Sequence, residues 1–593
     1  MPRLSFIKII HVLEKLAGIL VGILGVCILF RKLFFVSPEQ TLWADNFDSK
    51  LMYWIVNWGY HILFEAKDPL NFWNANSFFP ESQTLAYSDS ILSIQLLFSP
   101  LRAMGITPFA ALYLSLAGFT ILGCFFTGQA LRRLKIFSTL EIAIIVFGTH
   151  FSLSFISFLN HYQLFGFHLA PGFFLYLYLF LKDFKRADWI ITCGLFSLGA
   201  GFATYLAPIE VSLAMVMVVP SFLFLWRENG IKGILRKFGW SGAAIGIVFA
   251  VSLYFIQLKP YLSKLDSVVP VNFNDYVIYS ASPLSIFKNK SIFSFWYGAA
   301  NYSVNGQWEY AYFPGYILLV LGFCFIIYFL GSNLLRLFQM IRSKKMEAIA
   351  SISQSSRFIL YIFIFFLCTW IFSVGPYVRT IDLPNPLYWF FVKVVPGMAN
   401  IRAPGRLGIW LGFPLSIFLV FLIRYLKLGR VKNQVVLLIL LVGLVVESLP
   451  DHSNYPFALD PRGIYQKTAQ RIEAGTPLIE LPITGNDIYA TLGNVQQQLD
   501  GSTLHWARLV VGYGAKTSPG YDEIVSVDAD IQRTGEIQPM LDFARQNDIF
   551  HFLVYLPGYP EKTRLQWQKL FAEPSTHPLL DESGYLLFQM DAQ

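Results

Sequence analysis

Eleven stretches of this chain are apolar over about 20 residues, the length a helix needs to cross a hydrocarbon core. They run approximately over 11–31, 108–131, 139–159, 163–182, 188–206, 208–226, 238–257, 312–337, 357–375, 406–425 and 432–449, the fifth and sixth being divided at Pro208. The connecting segments test that reading, because Lys and Arg collect on the cytoplasmic side of a membrane protein. Arg132, Arg133 and Lys135 follow the second stretch, Lys182, Lys185 and Arg186 the fourth, and Arg227, Lys232, Arg236 and Lys237 the sixth. Arg342, Lys344 and Lys345 follow the eighth, and Arg424, Lys427, Arg430 and Lys432 surround the end of the tenth. Every even-numbered stretch thus ends in a basic cluster. With the N-terminus cytoplasmic, eleven spans put the C-terminal part outside, together with the long loops 32–107, 258–311 and 376–405. Arg31 and Lys32 run against the pattern and are read as snorkelling to an interface. The first stretch follows Lys8 and Lys15 but is not followed by a small-residue cleavage site, so it reads as an uncleaved anchor.

A chain that is 55% hydrophobic and 14% charged, with mean hydropathy +0.52, has the balance of a polytopic membrane protein. Its net charge of +8 is unevenly spread. Residues 1–449 hold 35 Lys and Arg against 19 Asp and Glu, and residues 450–593 hold 10 against 18. The basic excess belongs to cytoplasmic loops, so no nucleic-acid partner is expected. Cys27, Cys124, Cys193, Cys324 and Cys368 all lie in apolar runs, which suggests neither a disulfide framework nor a thiolate metal site. HExxH, Walker, Rossmann and CxxC patterns are missing, which removes support for zinc proteases, nucleotide-driven pumps and dinucleotide enzymes. After Pro450 the pattern becomes that of a small α/β or α+β domain with a mixed sheet. PLIELPI (477–483), FHFLVYL (550–556) and GYLLFQM (584–590) read as strands, and 537–549 and 562–573 as helices.

The first long loop is too polar to span and too aromatic for an ordinary solvated loop. Within it, Leu51, Trp54, Ile55, Trp58, Ile62 and Leu63 recur at three- and four-residue spacing over Ser49–Phe64. That spacing predicts an amphipathic helix, lying in the membrane surface or packed as a short buried helix on the spans. Asp45 and Asp48 precede it. A carboxylate there can take a proton from an acceptor hydroxyl, and the pair could help hold a divalent cation such as magnesium or manganese, the one cofactor this loop suggests. Asp48 is equally well placed to cap the helix.

The order of motifs resembles the GT-C superfamily of polytopic glycosyltransferases, especially its bacterial members. It rests on DNFD (Asp45–Asp48) with Trp54 and Trp58, NANSFFP (Asn74–Pro80), YSDS (Tyr87–Ser90), NHYQL (Asn160–Leu164) and YSASP (Tyr279–Pro283). EYAYFPGY (Glu309–Tyr316), the pair Gly375 and Pro376, IRAPGR (Ile401–Arg406) and, in the tail, ELP (Glu480–Pro482), Gln497, His505, Gly512 and Tyr513 continue it. The resemblance implies a mainly α-helical polytopic membrane protein of about 11 transmembrane helices over 1–449, with a smaller α/β extracytoplasmic domain over 450–593. It also implies transfer of a sugar from a polyprenyl-phosphate donor to a glycan, lipid or protein acceptor of the cell envelope, at the outer face of a bacterial plasma membrane. Asp45 matches the first-loop acid and would be the general base, with Asp89 the second choice.

Several further residues fit substrate binding. Arg402 and Arg406 lie on the side where basic residues are sparse, and guanidinium groups suit the donor phosphate; snorkelling at the tenth helix is the competing reading. Lys259 is a weaker phosphate candidate. His161 and Gln163 occupy a short outer turn, where a histidine is commonly a hydrogen-bonding turn residue. Glu210, two residues after Pro208, faces either a cavity or the hydrated interface. Gln497, His505 and Tyr513, with Trp506 and Tyr521, would contact an acceptor glycan or form a structural cap over the loops. A transporter or flippase of lipid-linked glycans, or a non-catalytic assembly factor, are the other classes; a transporter would show related halves, and no internal repeat is found.

Overall fold

The computed structural model describes residues 2–31, 41–42, 48–156, 158–159, 161–264, 277–287, 312–343, 354–378, 383–449, 457–458, 463–485, 487–514 and 518–591. Each of the eleven expected stretches contains helix over most of its described residues. Helix α1 is Pro2–Leu29, α2 Asp48–Tyr60, α3 Gln95–Ala103, α4 Pro108–Leu134 and α5 Thr139–His150. Then come α6 (Ala170–Asp183), entered through the 3-10 turn Tyr162–His168, α7 (Arg186–Ala200), α8 (Leu206–Leu253) and the short α9 (Lys259–Ser263). Helices α10 (Tyr316–Ser343), α11 (Gln354–Ser373), α12 (Gly412–Tyr425, behind the 3-10 turn Pro404–Leu411) and α13 (Arg430–Glu447) complete the bundle. Among the described residues, six segments are long and apolar enough to cross a membrane: Pro108–Leu134, Thr139–Ile156, Tyr162–Asp183, Arg236–Ser263, Ser355–Ser373 and Pro404–Tyr425. Three further apolar helices, Leu16–Leu29, Leu206–Val219 and Tyr316–Ser332, are shorter. The chain is an integral membrane protein.

The sixth and seventh stretches, expected as separate spans, are joined in the single helical run α8. A straight helix of its 48 residues would be about 72 Å long. Yet Gln257 Nε2, beyond its end, lies 3.4 Å from Thr204 Oγ1, before its start, so the run doubles back on itself. Gly239, with φ of +63°, takes the backbone through a conformation that other residues adopt at a cost. The two arms therefore lie side by side. Elsewhere close approach fixes the packing. A methyl group at Gly18 of α1 would come within 2.6 Å of the Cys124 carbonyl of α4, the small-residue contact by which membrane helices pack without a hydrophobic driving force.

At the basic end of the bundle, two arginines of the predicted clusters meet buried carboxylates. Arg424 donates to both oxygens of Glu141 at 2.6 Å, and Glu141 also closes the capping box of α5 with Ser138. Arg133 pairs with buried Asp188.

The tail forms a five-stranded mixed sheet. Its strands are β1 (Pro477–Leu481), β2 (Arg508–Leu509), β3 (His551–Tyr555), β4 (Thr576–Glu582) and β5 (Tyr585–Met590), in the order β2-β1-β3-β5-β4. β1 runs parallel to β2 and β3, and β5 antiparallel to β3 and β4. β1 is buried from Leu478 to Leu481, which explains its continuous apolar run.

Helix α2 decides between the two alternatives for this segment: Ser49 to Gly59 are all buried, so it is the short packed helix and does not lie in the membrane surface. The tail's helix Ile488–His505 covers it on one side and α3 on another, where Gln95 Nε2 donates to the Val56 carbonyl at 3.0 Å. Exposed apolar side chains of the loop include Leu70, Leu96 and Met104, and Leu97 of α3 packs against Gly118 of α4. Sequence reading also did not foresee that the first loop adds a strand-like edge to the tail. The N–H groups of Phe78, Phe79 and Leu509 donate to the carbonyls of Val511, Leu509 and Asn76 at 3.0–3.1 Å. Asn76 joins the two parts, accepting from Trp54 Nε1 and donating to the Ala507 carbonyl, both at 3.1 Å. Asn76→Ala leaves both partners buried and unpaired. It is expected to cost about 1–3 kcal/mol, read as a fall in melting temperature and faster proteolytic release of the tail.

Candidate active site

Six separate segments converge at the end of the bundle opposite the basic clusters. Asp48 is the first residue of α2, and one of its carboxylate oxygens lies 3.2 Å from His161 Nε2. His161 is buried just ahead of the 3-10 turn that opens α6, so it acts as a partner of the loop acid in addition to being a turn residue. Asp89 follows the 3-10 turn Thr84–Tyr87 and has Arg406, Asp48 and the backbone N–H of Thr204 around its carboxylate. Arg406 projects from the turn Pro404–Leu411 and donates to Tyr205 Oη at 3.3 Å. Tyr261 of α9 completes the group: its hydroxyl accepts the Ser90 N–H at 2.9 Å and donates to the Ser88 carbonyl at 2.7 Å.

Asp89 is part-exposed, and the groups packed around its carboxylate change its chemistry. Burial pushes its pKa up to about 7; Arg406 and the Thr204 N–H pull it back, and the charge of Asp48 raises it further. The backbone beside it is strained. Ile91, a β-branched residue, has φ of +37°, a conformation rare for such side chains and costing on the order of 1–3 kcal/mol. It is held by tethers on both sides: before it the Ser90 N–H donates to Tyr261 Oη at 2.9 Å, and after it Ser93 Oγ donates to the Leu198 carbonyl at 2.8 Å and the Ser93 N–H to the Gly201 carbonyl at 3.0 Å. The surrounding fold thus over-determines the position of Asp89.

Of the residues chosen from sequence, Asp48, Asp89, His161 and Arg406 meet here. Asp45 lies outside the described residues. Arg402 is exposed and makes its described contacts with Tyr279, through a 2.6 Å hydrogen bond and a ring stack at 4.6 Å. Lys259 is exposed. Gln163 is buried. Glu210 is fully buried against Gly199, one turn beyond Tyr205, with neither carboxylate oxygen hydrogen-bonded among the described residues; the hydrated-interface alternative does not hold for it. Among the described residues no three His, Cys, Asp or Glu side chains are grouped to hold a metal ion, and a site at Asp45 and Asp48 falls partly outside them.

In the tail, the aromatics are spent on docking. Trp506 stacks on His61 at 4.2 Å and tilts against Trp58 at 6.0 Å, and Tyr521 meets Phe78 edge-on at 5.8 Å. His505 is buried, accepts the Ala507 N–H at 3.0 Å, and is pulled by burial down to about 3. These contacts are those of a structural cap. Thr204, Tyr205 and Tyr261 escaped the sequence reading. The polar pair Thr204-Tyr205 just ahead of Pro208, at the end of an apolar stretch, is the one signal that would have pointed to them.

Below the site, α6, α7 and the two arms of α8 enclose an apolar cavity of about 700 Å³. Ser197, Val211 and Leu253 line one end of it, and Phe184, Trp189 and Phe238 the other. Ser197 and Val211 flank the contact of Gly199 with Glu210, so that end lies a short way from Thr204 and Tyr205.

No protein-family model matches the sequence, and no curated protein matches it by sequence. Solved structures match it by fold. The cryo-EM structure of the arabinofuranosyltransferase AftD from Mycobacteria is 13% identical over 97% of this chain, with a TM-score of 0.55. A structure of a variant of that enzyme is 13% identical over 96% of this chain, with a TM-score of 0.53. This chain spans 40% and 41% of the length of those two proteins. The likeness is one of fold: a mainly helical membrane bundle with a smaller sheet region near the C-terminus, as the sequence led us to expect.

Proposed function

We propose that this chain is a membrane glycosyltransferase that moves a sugar from a polyprenyl-phosphate donor to a glycan, lipid or protein acceptor of the cell envelope. Its loop end faces outward from a bacterial plasma membrane, with the basic clusters and the N-terminus cytoplasmic. The observation that carries this reading is the enclosed group of Asp89, Asp48, His161 and Arg406 at the loop end of a GT-C bundle. A lipid-linked donor presents its phosphate at the headgroup plane, where Arg406 can bind it in the bidentate way guanidinium favours. The cavity between α6, α7 and α8 is apolar and long enough in its lining to take an isoprenoid chain from that plane.

In a single displacement, the acceptor oxygen forms its bond to the anomeric carbon as the bond from that carbon to the lipid phosphate breaks. The acceptor proton passes to a carboxylate, and the lipid phosphate leaves with the bonding electrons. Configuration inverts, as in inverting glycosidases with an alcohol in place of water. Asp45 and Asp89 are the two candidate bases. A carboxyl titrating near neutral pH, as Asp89 does, is matched to that task. The similarity to an arabinofuranosyltransferase makes a pentofuranose one donor to test, along with polyprenyl-phosphate hexoses.

The test is sugar transfer from a panel of such donors to endogenous lipid and glycan acceptors, in membranes holding the wild type or Asp45→Asn. Transfer by the wild type and its loss in a normally inserted Asp45→Asn makes Asp45 the base. Equal transfer in both moves that role to Asp89. Absence of transfer with every donor overturns the enzyme reading in favour of transport or assembly.

A further inference from the structure

Helix α9 touches the candidate site without contributing a group that could react with a sugar. Its Tyr261 grips the two peptide groups on either side of Asp89: the Ser88 carbonyl receives the hydroxyl proton at 2.7 Å, and the Ser90 N–H donates to the hydroxyl oxygen at 2.9 Å. Thr204, whose N–H reaches the Asp89 carboxylate, also meets the Tyr261 hydroxyl through its side chain. The same helix is stitched to the first loop at two more points. Lys264 Nζ lies 3.1 Å from Glu81, and Ser263 Oγ donates to Gln83. One phenol therefore fixes the backbone of Asp89 from a segment about 170 residues away in sequence, while its ring meets Trp73 edge-on at 5.5 Å.

We infer that Tyr261 is the positioning residue for Asp89, holding its carboxylate enclosed between Thr204 and Arg406 by clamping both flanking peptide groups. This rests on the reading of Asp89 as a working group of a transferase, but it makes a separate claim about geometry. Among the described residues, the charged and titratable groups that face Asp89 include Arg406 from the turn Pro404–Leu411, Asp48 from α2 with its partner His161, and Tyr261 itself. Asp89 is part-exposed, and with the clamp released the loop 88–90 loses its anchor and more water reaches the carboxylate. Asp89 then becomes easier to ionise.

The experiment reads the protonation of Asp89 directly and does not depend on turnover. Melting temperatures of the full chain in nanodiscs are measured from pH 4 to pH 8.5 for the wild type, Tyr261→Phe and Ser263→Ala, each with and without Asp89→Asn. The difference made by Asp89→Asn isolates the titration of that one carboxyl. In Tyr261→Phe the midpoint of that difference is expected to fall by about one pH unit or more from its wild-type value. In Ser263→Ala, which cuts the tether to Gln83 but leaves the clamp, it is expected to stay. A Tyr261→Phe chain that melts lower at every pH with an unmoved midpoint has lost only packing, and overturns the inference, as does an upward shift. If the midpoint moves but no donor supports transfer, the inference stands and the enzymatic reading falls; if transfer is found and the midpoint does not move, the reverse holds.

Discussion

Arg406→Ala is expected to lower sugar transfer by about 10²- to 10³-fold, the usual cost of losing one preorganised group aimed at charge that develops in the transition state. The leaving lipid phosphate gains charge as its bond to the anomeric carbon breaks, so the loss should fall mainly on kcat and less on KM for the donor. Arg406→Lys should recover only part of it, because an ammonium replaces a planar two-pronged contact with a point charge. Arg402→Ala supplies the contrast. That guanidinium is exposed and occupied with Tyr279, so its removal should change transfer several-fold at most. Initial rates against donor concentration for the three variants decide the matter. A larger loss in Arg402→Ala than in Arg406→Ala would move the phosphate to the other arginine.

Asp89→Asn is expected to reduce transfer by about 10²- to 10⁴-fold if the carboxylate takes the acceptor proton, the range for removing a general base. The pH dependence has a definite sign. Only the ionised carboxylate accepts a proton, and burial holds Asp89 protonated up to about pH 7, so the wild-type rate should rise through that pH and level off above it. Stability runs the other way. A carboxyl whose folded pKa is raised binds its proton more tightly in the folded state. The stability this gives is full below the ordinary carboxylate range, and it is lost as pH rises toward and through about 7. Asp89→Asn should therefore melt with the wild type near pH 4 and above it near pH 8. An inactive variant that is more heat-stable than its parent at alkaline pH identifies a group kept for function at the expense of stability. A rate profile flat from pH 6 to pH 8 in the wild type would remove Asp89 from the proton transfer.

Much of the bundle could be read from residues alone because a bilayer leaves few choices. Long apolar runs must close their own hydrogen bonds, and helices do so locally. The basic clusters could be placed at one end for a similarly local reason, and the structure shows Arg133 and Arg424 there meeting Asp188 and Glu141. In the tail, the run around Leu478–Leu481 and the run around Phe552–Val554 announced buried strands, because a strand covered on both faces has no polar alternation to hide it. The amphipathic helix expected at Ser49–Phe64, either in the membrane surface or buried against the spans, shows the limit of that logic. Periodicity reports that a face is apolar but not what covers it, and here the cover comes from a helix more than 400 residues later.

The sequence by itself determined the membrane class, the helical stretches, the separate α/β tail and the residue types that could handle a phosphate and a proton, since each of these follows from composition and short-range spacing. Tertiary structure alone decided which of those residues meet. Asp48, Asp89, His161 and Arg406 come from segments separated by as much as 358 positions, and their hydrogen bonds and charges act over a few ångströms. The enclosure that raises the Asp89 carboxyl, the clamp of Tyr261 on its neighbours and the docking of the tail through Asn76 are all long-range contacts. No local pattern encodes them, because a residue's pKa and reach depend on neighbours that the fold supplies from elsewhere in the chain.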